Sequence, residues 1–255
     1  TSPEFYMKRL LAAGSGDIYS LGHVFRADES GSRHHREFTM LEWYRVGWCM
    51  DALMQEVCDL VSGIVLENVA DDAVKHTTYR QAFVDGTGLD PFRATVIELK
   101  QCAQQTLSPA FETNERDIWL DFLFSHLVEP KLQGRVFVTQ FPAAQAALAQ
   151  TTTDAQGNAV AARFELYMDG VEIANGYQEE WNVDVLRQRF QQDQHIRAQR
   201  GQTVPNIDER FMAAMSAGLP ACAGVALGVD RLLMVLSGEK QLRAVLPFLD
   251  LHAAK

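Results

Sequence analysis

Apolar positions along the chain change period several times, and each change marks an element. Residues 5–13 repeat at helical spacing, with Ser2 placed as a cap and Pro3 at the first helical position. Residues 18–26 and 38–46 alternate as two strands of a hairpin joined by a polar loop. Residues 49–68 return to helical spacing through Met50, Leu53, Met54, Val57, Leu60, Val61 and Ile64. The segment 79–106 reads as helical with a glycine-rich turn at 85–88, and 115–127 as another helix. Residues 136–141 form a short apolar strand that stops at Pro142. A second hairpin spans 163–179, turning at Asp169-Gly170. Helices follow at 184–200 and at 207–217, the latter ended by Gly218. The last pattern, from Cys222, is a strand that runs into a buried helix. Strands and helices thus both occur along the chain.

The two hairpins carry the candidate chemistry. On the first, alternation puts Phe38, Met40, Glu42 and Tyr44 on one face. An acid among large apolar residues is costly unless it meets a cation. Arg26, at the mouth of the loop, can fork onto phosphate or carboxylate oxygens, and the Phe38 ring can stack on a base. This set suits a nucleotide together with an amine-bearing substrate. On the second hairpin, Glu165, Tyr167, Glu172 and Ala174 share a face. Two such carboxylates repel unless a cation sits between them. Mg²⁺ on ATP phosphates, with its preference for hard oxygen ligands, would serve; the plain alternative is an exposed acidic surface. Regular alternation places Glu179 on the face opposite Glu172, and a bulge at Asn175-Gly176 would reverse that. In the last strand, Gly224 and Gly228 let backbone approach a ligand, and Arg231 in the first turn of the helix adds a phosphate grip.

Composition narrows the partners. The 255 residues are 47% hydrophobic and 22% charged, enough for one domain with a buried core. The net charge of −10 argues against a broad nucleic-acid surface. Arg187, Arg189, Arg197 and Arg200 lie on one predicted helix and form either a local basic patch or a solvated face. No apolar run is long enough to span a membrane, and the opening TSPEFYMKRLL lacks the layout of a signal peptide. The four cysteines form no CxxC pair and read as reduced thiols of a cytoplasmic protein. The chain does not begin with Met, so it is expected to start inside a longer protein.

The run Phe25-Arg26-Ala-Asp28, then Arg33-His34-His35 and Glu37-Phe38-Thr39-Met40-Leu-Glu42-Trp-Tyr44, resembles motif 2 of the class II aminoacyl-tRNA synthetases in its lysyl form. The stretch from Cys222 to Arg231 resembles motif 3, GxGxGxDR, with Ala226 in place of the middle glycine. The resemblance covers residues 2 to about 236. It implies an α+β fold, the class II catalytic domain with an antiparallel sheet flanked by helices, over 1–255, with motif 2 at about 18–46, an acidic strand pair at about 160–181 and motif 3 at about 222–236. It implies activation of an amino acid with ATP and Mg²⁺. Arg26 and Arg231 would be catalytic. Asp28 (usually Glu), Arg33, His34, His35, Phe38, Glu172, Ile173 and Gly228 would join them in holding ATP, and Glu165 and Glu172 would bind the metal. Ser2, Pro3, Glu4, Glu42, Tyr44, Asn175, Glu179 and Ala226 would line the amino-acid pocket, with Glu179 on the side-chain ammonium. Glu180, usually Leu, has no role in this picture.

Three kinds of relative share these motifs. Some charge tRNA with lysine, and some are non-catalytic binding modules. Others stand alone and attach (R)-β-lysine to a lysine of translation elongation factor P. Arg26, the carboxylates and Arg231 speak against the second kind. Ala226, the run EFTMLEWYR, the run PAAQAALAQ and the acidic charge resemble the third. The implied partners are elongation factor P and β-lysine or lysine, without stable tRNA binding. A homodimer formed through an N-terminal segment absent from this chain is also implied.

Overall fold

The computed structural model describes residues 2–27, 31–64 and 73–247. In chain order the first elements are α1 (Glu4–Ala12), β1 (Ile18–Phe25), β2 (Glu37–Val46) and α2 (Met50–Ile64). There follow β3 (Lys75–Thr78), α3 (Tyr79–Thr87), α4 (Val96–Thr106), α5 (Arg116–Leu123) and β4 (Arg135–Pro142). The last are β5 (Thr151–Thr153), β6 (Ala159–Met168), β7 (Val171–Gln178), α6 (Val183–Gln199), α7 (Glu209–Gly218), β8 (Cys222–Gly228) and α8 (Val229–Leu236). The chain folds as two compact units. The first comprises Thr1–Asp59, Ala147–Gln150 and Gly176–Lys255, and the second Leu60–Ala146 and Thr151–Asn175.

In the first unit β1 pairs with β2 and β2 with β8, both antiparallel, with Tyr44 opposite Gly224 and Glu42 opposite Ala226. Met7 and Leu11 of α1 pack with Tyr44, Leu148, Leu186, Phe211, Met212, Met215 and Cys222 into one core. Phe5 stacks on Phe211 with ring centroids 4.2 Å apart. This core fixes α1 against α7. The cap of α7 is Asp208, whose carboxylate accepts from the Arg210 and Phe211 N–H groups. Asn182 caps α6 in the same way.

In the second unit β4 and β6 are antiparallel, β5 joins β6, and β3 lies parallel to β4. The β6–β7 turn is Asp169-Gly170, both with left-handed backbone (φ 49° and 75°), as the Asp-Gly signal predicts. Tyr79 stacks on Phe124 at 4.6 Å, Phe137 meets Phe164 edge-on at 5.6 Å, and Trp119 and Phe83 are buried as well.

Three sequence expectations are corrected. The segment 85–88 is not a loop: Asp85–Thr87 close α3 and Gly88 is its left-handed cap. Pro3 is the N-cap of α1 rather than its first helical residue. The sheet is mostly rather than wholly antiparallel, because the four polar residues of β3 are too few to show a period. The expected helix over 49–68 is seen as α2, and residues 65–68 lie outside the described ones.

Candidate functional site

The pocket of the first unit starts from the β2–β8 pairing. Alternation aims Glu42 and Tyr44 to one face, where the strand opposite carries Ala226 and Gly224. A Cβ on Gly224 would collide with the Tyr44 ring and with Glu179 Oε1. Glycine is therefore what lets the phenol and the carboxylate lie over that strand. Glu42 is 3% exposed. Its Oε2 accepts from Ser2 Oγ at 2.6 Å and its Oε1 from Tyr44 Oη at 2.7 Å. The expected direct cation on this buried acid is replaced by two hydroxyls. Burial raises the Glu42 carboxyl above its ordinary range, and the two hydroxyl bonds oppose that. Ser2 Oγ also accepts the Glu4 N–H at 3.0 Å, tying the start of α1 to Glu42.

Glu179 follows the end of β7. Its N–H donates to the Cys222 carbonyl at 3.1 Å, and its carbonyl accepts from Gln150 Nε2 at 2.9 Å. The carboxylate is buried, and Lys8 of α1 reaches it: Nζ stands 2.6 Å from Glu179 Oε2 and 2.7 Å from Glu4 Oε1. Lys8 thus answers the charge of Glu179 at Oε2 and that of Glu4 at Oε1. Burial pushes the Glu179 carboxyl up, the Lys8 ammonium pulls it back, and Glu4 pushes it up again. For Lys8, burial favours the neutral amine, but the two carboxylates outweigh it and hold the ammonium charged. Ser2, Glu4, Glu42, Tyr44, Glu179 and Ala226 thus belong to one assembly in this unit.

The nucleotide candidates of this unit gather around the hairpin loop. The Arg26 guanidinium lies over the Phe38 ring, 5.3 Å from its centroid. Arg231, in the first turn of α8, donates from Nε to the Arg33 carbonyl at 3.2 Å. Asp230 accepts the Thr39 N–H at 2.6 Å, so the start of α8 is anchored to β2. Gly228 is the N-cap of α8. Gly31 and His34 bridge across the loop, and His35 Nδ1 sits 2.8 Å from the Glu37 carbonyl oxygen. Asp28 lies outside the described residues.

In the second unit Glu165 is buried between Arg163, which pairs with its Oε1, and Tyr167, which donates to its Oε2. Burial raises the Glu165 carboxyl, Arg163 opposes that, and neighbouring Glu172 adds to it. Glu165 and Glu172 are hard-oxygen donors of the kind Mg²⁺ takes, although both Glu165 oxygens are engaged and among the described residues no group of three or more His, Cys, Asp or Glu side chains could hold a metal. Ile173 is buried in β7, and Asn175 Oδ1 is buried without a hydrogen-bond partner. Such an orphan acceptor suits a donor that a ligand would bring.

The sequence profile of the class II tRNA synthetases for D, K and N matches residues 1–251. The chain belongs to the class II synthetase family. It is 45% identical over 250 residues to the elongation factor P--(R)-beta-lysine ligase of Histophilus somni (strain 2336), covering 97% of this chain and 76% of the relative. The ligase of the same name from Pasteurella multocida (strain Pm70) is 45% identical over 251 residues, with the same coverage. That of Yersinia pestis (strain Pestoides F) is 46% identical over 253 residues, again covering 97% and 76%.

Sequence reasoning missed Lys8, Arg163 and the part Tyr167 plays. Glu4 and Lys8 have the spacing of an ordinary surface pair on a helix, and only the tertiary fold shows that the pair is buried. Glu180 now has a structural place: Oε1 accepts the Asn182 N–H at 2.9 Å, and Oε2 lies 3.7 Å from Arg189. The arginines of α6 are engaged by the chain itself. Arg187 pairs with Glu209, Arg197 with Asp193, and Arg189 donates to the Ala147 and Ala149 carbonyls. All four cysteines are free thiols, and among the described residues no helix is long and apolar enough to cross a membrane.

Proposed function

We infer that this protein is an ATP-dependent, AMP-forming ligase that activates (R)-β-lysine and attaches it to a lysine of translation elongation factor P. The observation that carries this is the likeness over 97% of the chain to relatives of that name. The pocket supports it, since Glu4, Glu42 and Glu179 offer carboxylates where a diamino acid needs them. A ligand without the side-chain amine would leave three carboxylates with one cation, Lys8, among them.

The chemistry is a carboxylate of the amino acid attacking the α-phosphate of ATP, with pyrophosphate leaving. The amine of the acceptor lysine then attacks the adenylate carbonyl, and AMP leaves. Arg26 is assigned to the α-phosphate and the attacking carboxylate, Phe38 to the adenine face, and Arg231 to the terminal phosphate. These are groups that work by alignment and charge neutralisation. Glu165 and Glu172 would hold Mg²⁺, which when bound supplies charge neutralisation on the phosphates. Arg163 and Tyr167 orient Glu165 for that task. Ala226, opposite Glu42, narrows the floor of the pocket by one methyl relative to glycine and is assigned to the choice of a β-amino acid. A translation factor as acceptor places the reaction in the cytoplasm, and a homodimer is the proposed assembly.

The test is the intact mass of elongation factor P after incubation with full-length enzyme, ATP, Mg²⁺ and (R)-β-lysine, with lysine tRNA present. A gain of one lysyl residue on the protein with the tRNA uncharged is expected. Charged tRNA and an unmodified factor would overturn the assignment.

A further inference from the structure

Lys8 has no part in the chemistry above, yet it is 1% exposed and sits among the acids of the pocket. An ammonium is costly to bury, and the core around α1 is apolar, with Met7 and Leu11 beside it. A methionine would fill that slot at lower cost, so the charge itself needs a reason. The cation acting on both Glu42 and Glu179 is Lys8. When ionised, the three carboxylates (Glu4, Glu42 and Glu179) less this one ammonium carry two negative charges. A diamino acid presents two ammonium groups.

We propose that Lys8 is a positioning residue that sets the charge of the pocket at two, holding Glu4 and Glu179 ionised and in place for a substrate with two ammonium groups. This rests on the pocket reading given under Proposed function. Lys8 touches no substrate atom in this scheme; it acts through the two acids. The geometry suits the task. Lys8 holds Glu179 at Oε2, and the other oxygen, Oε1, lies over Gly224.

The test uses full-length enzyme in four forms: wild type, Lys8→Met, Glu179→Gln and the double variant. ATP–pyrophosphate exchange with (R)-β-lysine gives KM for amino acid and for ATP. Lys8→Met is expected to raise the amino-acid KM about thirtyfold while ATP KM stays within about twofold. The acid limb of kcat/KM should also move to higher pH. The groups facing Glu179 are Lys8, Glu4, Glu42, Tyr44 and Cys222, and without the one cation among them Glu179 holds its proton more tightly. A lower melting temperature with an unmoved pH profile and an unchanged KM would mean a structural role and overturn the proposal.

Should Lys8→Met fail to fold, the double variant carries the test, because it removes the buried Lys8 and Glu179 charges together. It is expected to fold and to have an amino-acid KM about threefold or more below that of Glu179→Gln alone, since removing the cation restores two negative charges. An equal or higher KM would overturn the proposal. Glu179→Gln without any effect on amino-acid KM would overturn the pocket reading and the role of Lys8 with it. A Glu179 effect without a Lys8 effect would overturn the latter alone.

Discussion

Two buried acids in this protein are built with the same local device and put to different uses. Glu42 on β2 and Glu165 on β6 each receive the hydroxyl of a tyrosine two residues on, Tyr44 and Tyr167. Strand alternation makes this pairing almost automatic, since residues two apart share a face. The difference is where the cation comes from. Glu165 has Arg163 on its own strand, two residues back, so its charge is answered locally. Glu42 has no such neighbour and relies on Ser2 and Tyr44. The cation of its assembly, Lys8, comes from a helix and goes to Glu179 and Glu4 instead. A carboxylate whose charge is answered within its own strand is fixed in place. A set of acids with fewer cations than charges is prepared for a cationic ligand.

That contrast can be broken at several points. The largest effect is expected from Glu179→Gln. It should raise the KM for (R)-β-lysine in pyrophosphate exchange by about a hundredfold, because it removes the acid assigned to the side-chain ammonium. ATP affinity should stay within about twofold, since no nucleotide contact is lost. Equal loss on both substrates would mean that Glu179 supports the whole site rather than the amine.

A matched pair of tyrosine variants sharpens the comparison. Tyr44→Phe and Tyr167→Phe each remove one hydroxyl from a buried acid, and each should lower stability in denaturant melts by about 1–3 kcal/mol. Only Tyr44→Phe should also raise the amino-acid KM, by about tenfold, whereas Tyr167→Phe should act on the Mg²⁺ dependence. The same kinetic profile from both variants would erase the distinction drawn here.

The smallest effect is expected at Asp121 in the second unit, a solvent-exposed acid that accepts from Gln145 Nε2. Burial, with Asp117 adding to it and Arg163 opposing, pushes its carboxyl up to about 6. The folded value exceeds the unfolded value of about 3.9, so its stabilising contribution is complete below that and lost as pH rises through the folded value. Solvent screens this surface acid, so Asp121→Asn should raise the melting temperature by only about 1–2 °C at pH 8 and leave it nearly unchanged at pH 4. A gain of the same size at both pH values would contradict the assignment.

What the sequence made legible follows from how locally each feature is specified. The two hairpins were readable because alternation and an Asp-Gly turn act over a few residues, and the face shared by Glu42 and Tyr44 follows from the same rule. The strand-to-helix passage from Cys222 to Leu236 was readable because glycines and a helix start have fixed spacing. Lys8 was not readable. Its neighbour Glu4 sits one helical turn away, but its other partner, Glu179, is 171 residues away in sequence. Neither was β3, whose four residues gain strand character only by pairing with β4. Arg163 and Glu165 share one strand face by alternation, but their pairing depends on side-chain conformation, which spacing alone does not specify.

The account turns on the claim that Glu4, Glu42 and Glu179, with Lys8, select a diamino acid. The most direct measurement is ATP–pyrophosphate exchange by the full-length enzyme with (R)-β-lysine against the same β-amino acid lacking only the side-chain amine. The account predicts kcat/KM lower by about a thousandfold or more for the analogue, because buried acids are left without their cation. Values within about tenfold of each other would contradict it, since a lost methylene-sized apolar contact alone accounts for that much.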